Sequence, residues 1–138
     1  MDPRVALPTL SVLEADAARR AGGAIAGGAR TPDGGGDGAG APILLDVREK
    51  HEFAAVRVPG ALLYPTSSFM LRYSALPRDR PIHVVCHTGS RSAAVTTFLL
   101  RNGWSDVRSV VGGMDAWERA GLEVRRGPLL PGEGDASA

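Results

Sequence analysis

Residues 82–92 confine this chain to a narrow set of folds. Ile82, Val84 and Val85 make a short apolar run with the look of a buried strand. The run delivers Cys86, passes through the polar turn His87-Thr88-Gly89, and opens at Ser90 into an amphipathic helical pattern (Ala93, Ala94, Thr97, Phe98, Leu100) stopped by Gly103. The same alternation recurs on either side. Strands are expected at 43–47, 61–64 and 107–111, and helices at 49–55, 67–73 and 114–120, with Pro59-Gly60, Pro65 and Gly121 as punctuation. Strands that alternate with helices imply an α/β fold: a mostly parallel central sheet with helices on both faces. In such sheets ligands bind outside the carboxyl ends of the strands, and Asp46, Cys86 and Gly112-Gly113 all fall there.

Cys86 is the single cysteine in 138 residues. It therefore has neither a partner for an internal disulfide nor a resolving thiol. At a strand end and helix start, unpaired backbone N–H groups and the helix dipole favour negative charge. The site thus favours the thiolate, which is the nucleophile, and the same N–H groups can hold an anion. One loop offers both a nucleophile and an anion cradle.

The length fits one domain with a real core. A formal net charge of +1 gives no electrostatic case for nucleic acid or an anionic membrane. Of the 16 basic residues only Lys50 is lysine, which reads as coding bias rather than function. No apolar run has the length of a membrane span, and Met1-Asp2-Pro3-Arg4 lacks a signal-peptide layout. With a lone free thiol, the cytoplasm is the expected location.

Ser11 and Glu14 have capping-box spacing, so a first helix is expected over 11–21. Residues 22–41 carry nine glycines in twenty and few apolar side chains, and are expected to be a flexible insertion. They do not make a phosphate loop, because no strand leads in and no Gly-Lys-Ser/Thr follows. The organisation expected is an N-terminal arm at 1–8, a domain at 9–126 and a flexible tail at 127–138.

Four motifs then carry a family resemblance. Leu45-Asp46-Val47-Arg48-Glu49 with Glu52-Phe53 comes first, then Val58-Pro59-Gly60-Ala61. Cys86-His87-Thr88-Gly89-Ser90-Arg91-Ser92 is the most specific. Leu100-Arg101-Asn102-Gly103-Trp104, then Val111-Gly112-Gly113-Met114 and Trp117, complete the set. In this order they make residues 9–124 resemble a single rhodanese domain, the thiosulfate sulfurtransferase fold. One departure stands out: Val56-Arg57 occupy the place where the family usually has Gly-His, and altered local packing is expected there.

The resemblance implies that Cys86 accepts a sulfane sulfur, becomes a persulfide and passes the sulfur on. The backbone amides of His87, Thr88, Gly89, Ser90, Arg91 and Ser92 are the natural donors to the sulfur. Arg91 has two readings: it holds an anionic donor through its guanidinium fork, or it ties the loop to Asp46 or Glu49. Arg48 is expected in a structural salt bridge, and Asp46 is expected to orient the loop or cap a backbone N–H. His83, Cys86 and His87 fit zinc-ligand spacing poorly, so neither metal nor cofactor is expected. His51 reads as a solvated helix residue, and Trp104 and Trp117 as core residues. The implied donor is thiosulfate or a low-molecular-weight persulfide, and the acceptor cyanide or a thiol, with a protein acceptor as a further candidate. Two rivals remain: a non-turnover sulfur carrier or interaction module serving one protein partner, and a phosphatase or arsenate reductase of the related fold. The four residues between Cys86 and Arg91 make a shorter loop than those phosphatases use.

Overall fold

The computed structural model describes residues 7–26 and 40–135. Five strands, β1 (Thr9–Leu10), β2 (Ile43–Asp46), β3 (Leu62–Leu63), β4 (Ile82–Val85) and β5 (Val107–Val110), form one sheet in the order β1-β5-β4-β2-β3. Every pairing is parallel. The helices are α1 (Val12–Ala26), α2 (Lys50–Ala55), α3 (Phe69–Arg72), α4 (Ser90–Arg101) and α5 (Gly113–Arg119). The expected α/β architecture is therefore present. The helix expected over 67–73 is broken: α3 is one turn long, flanked by 3-10 turns at Thr66–Ser68 and Tyr73–Ala75.

Successive side chains of a strand point to opposite faces, so each central strand feeds two cores. Leu45, Ile82 and Val84 meet Val95 and Leu99 of α4 and Phe69 of α3. Leu44 and Val85 meet Val12 and Ala15 of α1, Phe53 of α2, and Met114 and Trp117 of α5. Both tryptophans are core residues, as expected. Their buried indole N–H groups donate to carbonyls, Trp104 to Pro77 at 3.1 Å and Trp117 to Glu123 at 2.9 Å. No helix among the described residues is long and apolar enough to cross a membrane.

The N-terminal capping box forms: Ser11 N donates to Glu14 Oε1 at 2.8 Å, and Glu14 N to Ser11 Oγ at 3.1 Å. Two expectations about chain ends need correction. First, α1 does not stop at 21 but runs to Ala26, taking the first five residues of the presumed loop into the helix. The helix includes Gly22 and Gly23 despite their low helix propensity. Residues 27–39 of that segment lie outside the described residues, and Ala41 at its end accepts a hydrogen bond from Arg80 Nε at 2.8 Å.

Second, residues 127–135 are not a loose tail. Arg57, the departure from the family pattern, is fully buried and collects them. Its Nη1 donates to Gly127 O at 2.8 Å and Ala54 O at 3.0 Å, and its Nη2 to Pro128 O at 3.2 Å. Its Nε lies 2.8 Å from Glu133 Oε2, close enough to pair although off the line of a hydrogen bond. Glu133 also takes Arg125 Nη1 at 2.8 Å and the Leu130 N–H at 2.9 Å. Held by these donors, Arg57 foremost, its carboxyl is pulled down to about 2. Further on, Gly134 O accepts from Leu63 N at 2.8 Å, so the segment supplies the edge strand β3 with a partner. A guanidinium placed among carbonyls does what an apolar contact does elsewhere, and glycine content alone does not reveal it.

Candidate active site

β2 and β4 run in register over four residues, with Asp46 opposite Val85. Their carboxyl ends therefore lie side by side, and Cys86 leaves the sheet between Asp46 and β5. The loop turns back at Gly89, whose φ of 115° lies in the left-handed region that glycine adopts without strain. From there Ser90 starts α4.

The orientation of the loop comes from α5. The first N–H groups of a helix lack partners inside it. Here Met114 N donates to Cys86 O at 2.8 Å and Asp115 N to His87 O at 3.0 Å. This approach requires Gly113, since a Cβ there would lie 2.3 Å from Cys86 O. With these two carbonyls drawn toward α5, the loop's amides turn to the sulfur. Gly89 N donates to Cys86 Sγ at 3.1 Å and Ser92 N at 3.3 Å, while the thiol faces Ser92 Oγ at 3.5 Å. Cys86 sits at the bottom of this cradle, 1% exposed. Of the loop residues named from the sequence, Gly89 and Ser92 reach the sulfur in this state, and Thr88 and Ser90 complete the turn and the start of α4.

Arg91 does not pair with Asp46 or Glu49. It makes a two-pronged salt bridge with Glu52 of α2, Nη1 to Oε1 at 2.8 Å and Nη2 to Oε2 at 3.0 Å. The hydrogen bonds from Arg91 hold the Glu52 carboxyl down at about 2, and Glu52 in turn raises Arg91. Glu52 is also the closing member of the α2 capping box, taking the Glu49 N–H at 2.9 Å. It is not among the site residues expected from the sequence. The Glu49-x-x-Glu52 spacing announces a cap, but nothing local announces a partner 39 residues away.

Asp46 and Arg48 are both buried and locked together, with Arg48 Nη2 2.8 Å from Asp46 Oδ2. Asp46 Oδ1 also caps the Arg48 N–H at 3.0 Å. Arg48 reaches on to Val56 O at 2.6 Å and Glu52 O at 3.2 Å. The pair thus braces α2, and α2 braces the Cys86 loop through Glu52 and Arg91. Glu49 joins the neighbouring turn instead, accepting from Ser67 Oγ at 2.6 Å and Thr66 Oγ1 at 3.0 Å. His87 stands at the rim, more than half exposed, with Nε2 2.8 Å from Asp115 Oδ1. His83 lies on β4 behind the loop, where burial pushes its imidazole below the ordinary value.

This constellation can hold one anionic sulfur: a single thiol, two backbone donors, a hydroxyl, and a loop braced from two helices. Comparisons with known proteins identify the family. A model of the rhodanese-like domain matches residues 35–120. A sulfurtransferase of Allochromatium vinosum is 34% identical over 82 residues, covering 59% of this chain and 77% of that protein. The thiosulfate sulfurtransferase GlpE of Actinobacillus succinogenes is 36% identical over 82 residues, 59% of this chain and 74% of its own. Among solved structures, a rhodanese-related protein from Thermoplasma volcanium shares the fold with a TM-score of 0.68 at 24% identity, over 86% of this chain and 97% of that one. With the matched model, the strand-end cysteine cradle and these relatives together, the chain belongs to the rhodanese family and is a rhodanese-type sulfurtransferase.

Proposed function

We propose that this chain moves a sulfane sulfur from thiosulfate or a low-molecular-weight persulfide to a thiophilic acceptor by way of a persulfide on Cys86. The supporting observation is the aim of the Gly89 and Ser92 amides at Cys86 Sγ, 3.1 and 3.3 Å away. In loading, the Cys86 thiolate attacks the outer sulfur of thiosulfate, a new S–S bond forms, and sulfite departs with the electron pair of the old one. In discharge, a nucleophile takes the outer sulfur and the thiolate is restored. Preorganised N–H donors serve both steps because the negative charge stays within their reach. The names of the GlpE relatives support thiosulfate as a donor. A thiol, including one on a partner protein, is the acceptor that fits a reducing cytoplasm, where a lone free cysteine persists.

Arg91 is spoken for by Glu52 and serves this reading as a brace, with the amides holding the donor's charge. Incubation with thiosulfate should add the mass of one sulfur to the intact protein, and cyanide or a thiol reductant should remove it. Cys86→Ser should show neither adduct nor turnover. A wild-type protein that stays unmodified across several sulfane donors, or that hydrolyses an aryl phosphate through Cys86, overturns the proposal. Single-turnover loading without steady-state turnover identifies a dedicated sulfur carrier instead.

A further inference from the structure

Two buried hydroxyls lie beneath the thiol. Ser92 Oγ is 3.5 Å from Cys86 Sγ, 3.0 Å from Gly89 O and 2.8 Å from Ser109 Oγ. Ser92 is 0% exposed and Ser109 3%, so neither is free to exchange partners with bulk water. Ser109 belongs to β5, opposite Val84 of β4. Among the described residues, Ser92 is the only hydrogen-bond partner of the Ser109 hydroxyl.

Proton counting orients the pair. A serine hydroxyl has one proton to give and two lone pairs to accept with, whereas a carbonyl only accepts. While Cys86 is a thiol, its S–H donates to Ser92 Oγ. Ser92 then gives its own proton to Gly89 O, and Ser109 must donate to Ser92. Once the sulfur is a thiolate it only accepts, and the Ser92 proton can turn to it. Ser109 donates to Ser92 in that state too. Its strand position makes it a fixed donor, and the second hydroxyl polarises the first.

We infer that Ser109 is a positioning residue that stabilises the Cys86 thiolate through Ser92, and thereby makes Cys86 a better leaving group when the sulfur is handed on. The inference rests on the persulfide reading above. In discharge to cyanide, the carbon lone pair attacks the outer sulfur, the S–S bond breaks, its electron pair stays on Sγ, and thiocyanate departs. No proton and no further oxidant or reductant enters. A less basic leaving thiolate leaves faster. Loading responds less, because a stabilised thiolate is more abundant but also less nucleophilic, and the two effects partly cancel.

The test uses the full chain with Ser92→Ala, Ser109→Ala, the double variant and Ser109→Thr. Each is loaded with thiosulfate, and discharge by cyanide is followed by intact mass. Discharge should slow about tenfold in Ser92→Ala, the loss of one hydrogen bond to an ionised acceptor. In Ser109→Ala it should slow about threefold, as for a neutral pair. The double variant should be no slower than Ser92→Ala alone, since one acts through the other. Ser109→Thr, which keeps a hydroxyl on a strand-compatible side chain, should restore the rate. The pH midpoint of Cys86 alkylation should rise in the same order. The charged groups around the thiol are Arg91 with Glu52, Asp46 with Arg48, and His87 with Asp115, and they are the same in every variant. Additive slowing, or wild-type discharge with an unmoved alkylation midpoint in Ser109→Ala, overturns the inference. Should the wild type take up no sulfur at all, the persulfide reading fails, and the alkylation midpoints still decide whether Ser109 acts on the thiol.

Discussion

The Cys86 loop and the segment 127–135 solve the same problem in opposite ways. Each is a glycine-bearing turn held to the body of the protein by an arginine and a glutamate. At the loop, Arg91 is one-third exposed and spends its whole fork on Glu52. At the C-terminal segment, Arg57 is fully covered and divides itself between three carbonyls and Glu133. The loop's own amides remain free for the sulfur because its carbonyls are taken by α5 and its charge by α2. The C-terminal segment gives its Gly127 and Pro128 carbonyls to Arg57 and its Gly134 carbonyl to Leu63 N, contacts that anchor it rather than serve a ligand. A partly exposed pair that braces a working loop affects activity more than stability, whereas a buried pair that satisfies carbonyls affects stability more than activity.

The largest expected effect is on Arg57. Arg57→Ala removes the donors to Ala54, Gly127 and Pro128 and leaves Glu133 covered with less of its positive surround. Breaking one side of a buried pair costs about 3–5 kcal/mol, which denaturant unfolding would read directly. Sulfur transfer per folded molecule should be unchanged. A melting curve close to wild type would mean that the segment merely rests on the domain, and the comparison above would collapse.

Acid should loosen both places. Glu133 and Glu52 are each held from 4.5 down to about 2 in the folded protein. A carboxyl with a depressed folded value binds its proton more readily when unfolded, so stability rises with pH in that window. The contribution is complete above about 4.5 and disappears as pH falls through about 2. Unfolding followed from pH 6 to pH 2 should show that slope. Glu133→Gln should flatten it most, whereas Glu52→Gln should flatten it less, because Glu52 and Arg91 are partly exposed and solvent screens their pair. An unchanged slope in Glu133→Gln would show that the pair with Arg57 is absent in solution.

The smallest stability effect belongs to Arg91 and Glu52. Partly exposed ion pairs contribute about 0.2–1 kcal/mol, so Arg91→Ala and Glu52→Gln should melt near wild type. Both should slow sulfur loading to a similar extent, since either change frees the loop from α2. If Glu52→Gln instead speeds the use of thiosulfate while Arg91→Ala slows it, Arg91 binds the donor and Glu52 masks it. That outcome would restore the other reading of Arg91.

What was legible in the chain follows its contacts. The sulfur cradle is local: β4, the loop and the start of α4 are contiguous, and each announces itself through apolar spacing, Gly89 or the lone thiol. The same holds for the Ser11–Glu14 capping box and for the bond between Asp46 and Arg48, which are two residues apart. For residues 127–135, glycine and proline suggest looseness along the chain, while the anchor, Arg57, lies 70 residues before Gly127; residues 136–138 lie outside the described residues. Arg48 finds the nearby carboxylate expected of it, whereas the carboxylate tied to Arg91 is Glu52 and neither Asp46 nor Glu49.

The alternation of strand and helix, the parallel sheet it implies, and the single thiol at a strand's carboxyl end are all legible from the chain alone. All three depend on neighbours along the chain. Tertiary structure decided which charge meets which. The order β1-β5-β4-β2-β3 sets α2 against the start of α4, α5 against the Cys86 carbonyl, and Ser109 beneath Ser92. An arginine can reach any carboxylate the fold brings within its length, so its partner is a property of the packing and not of spacing along the chain.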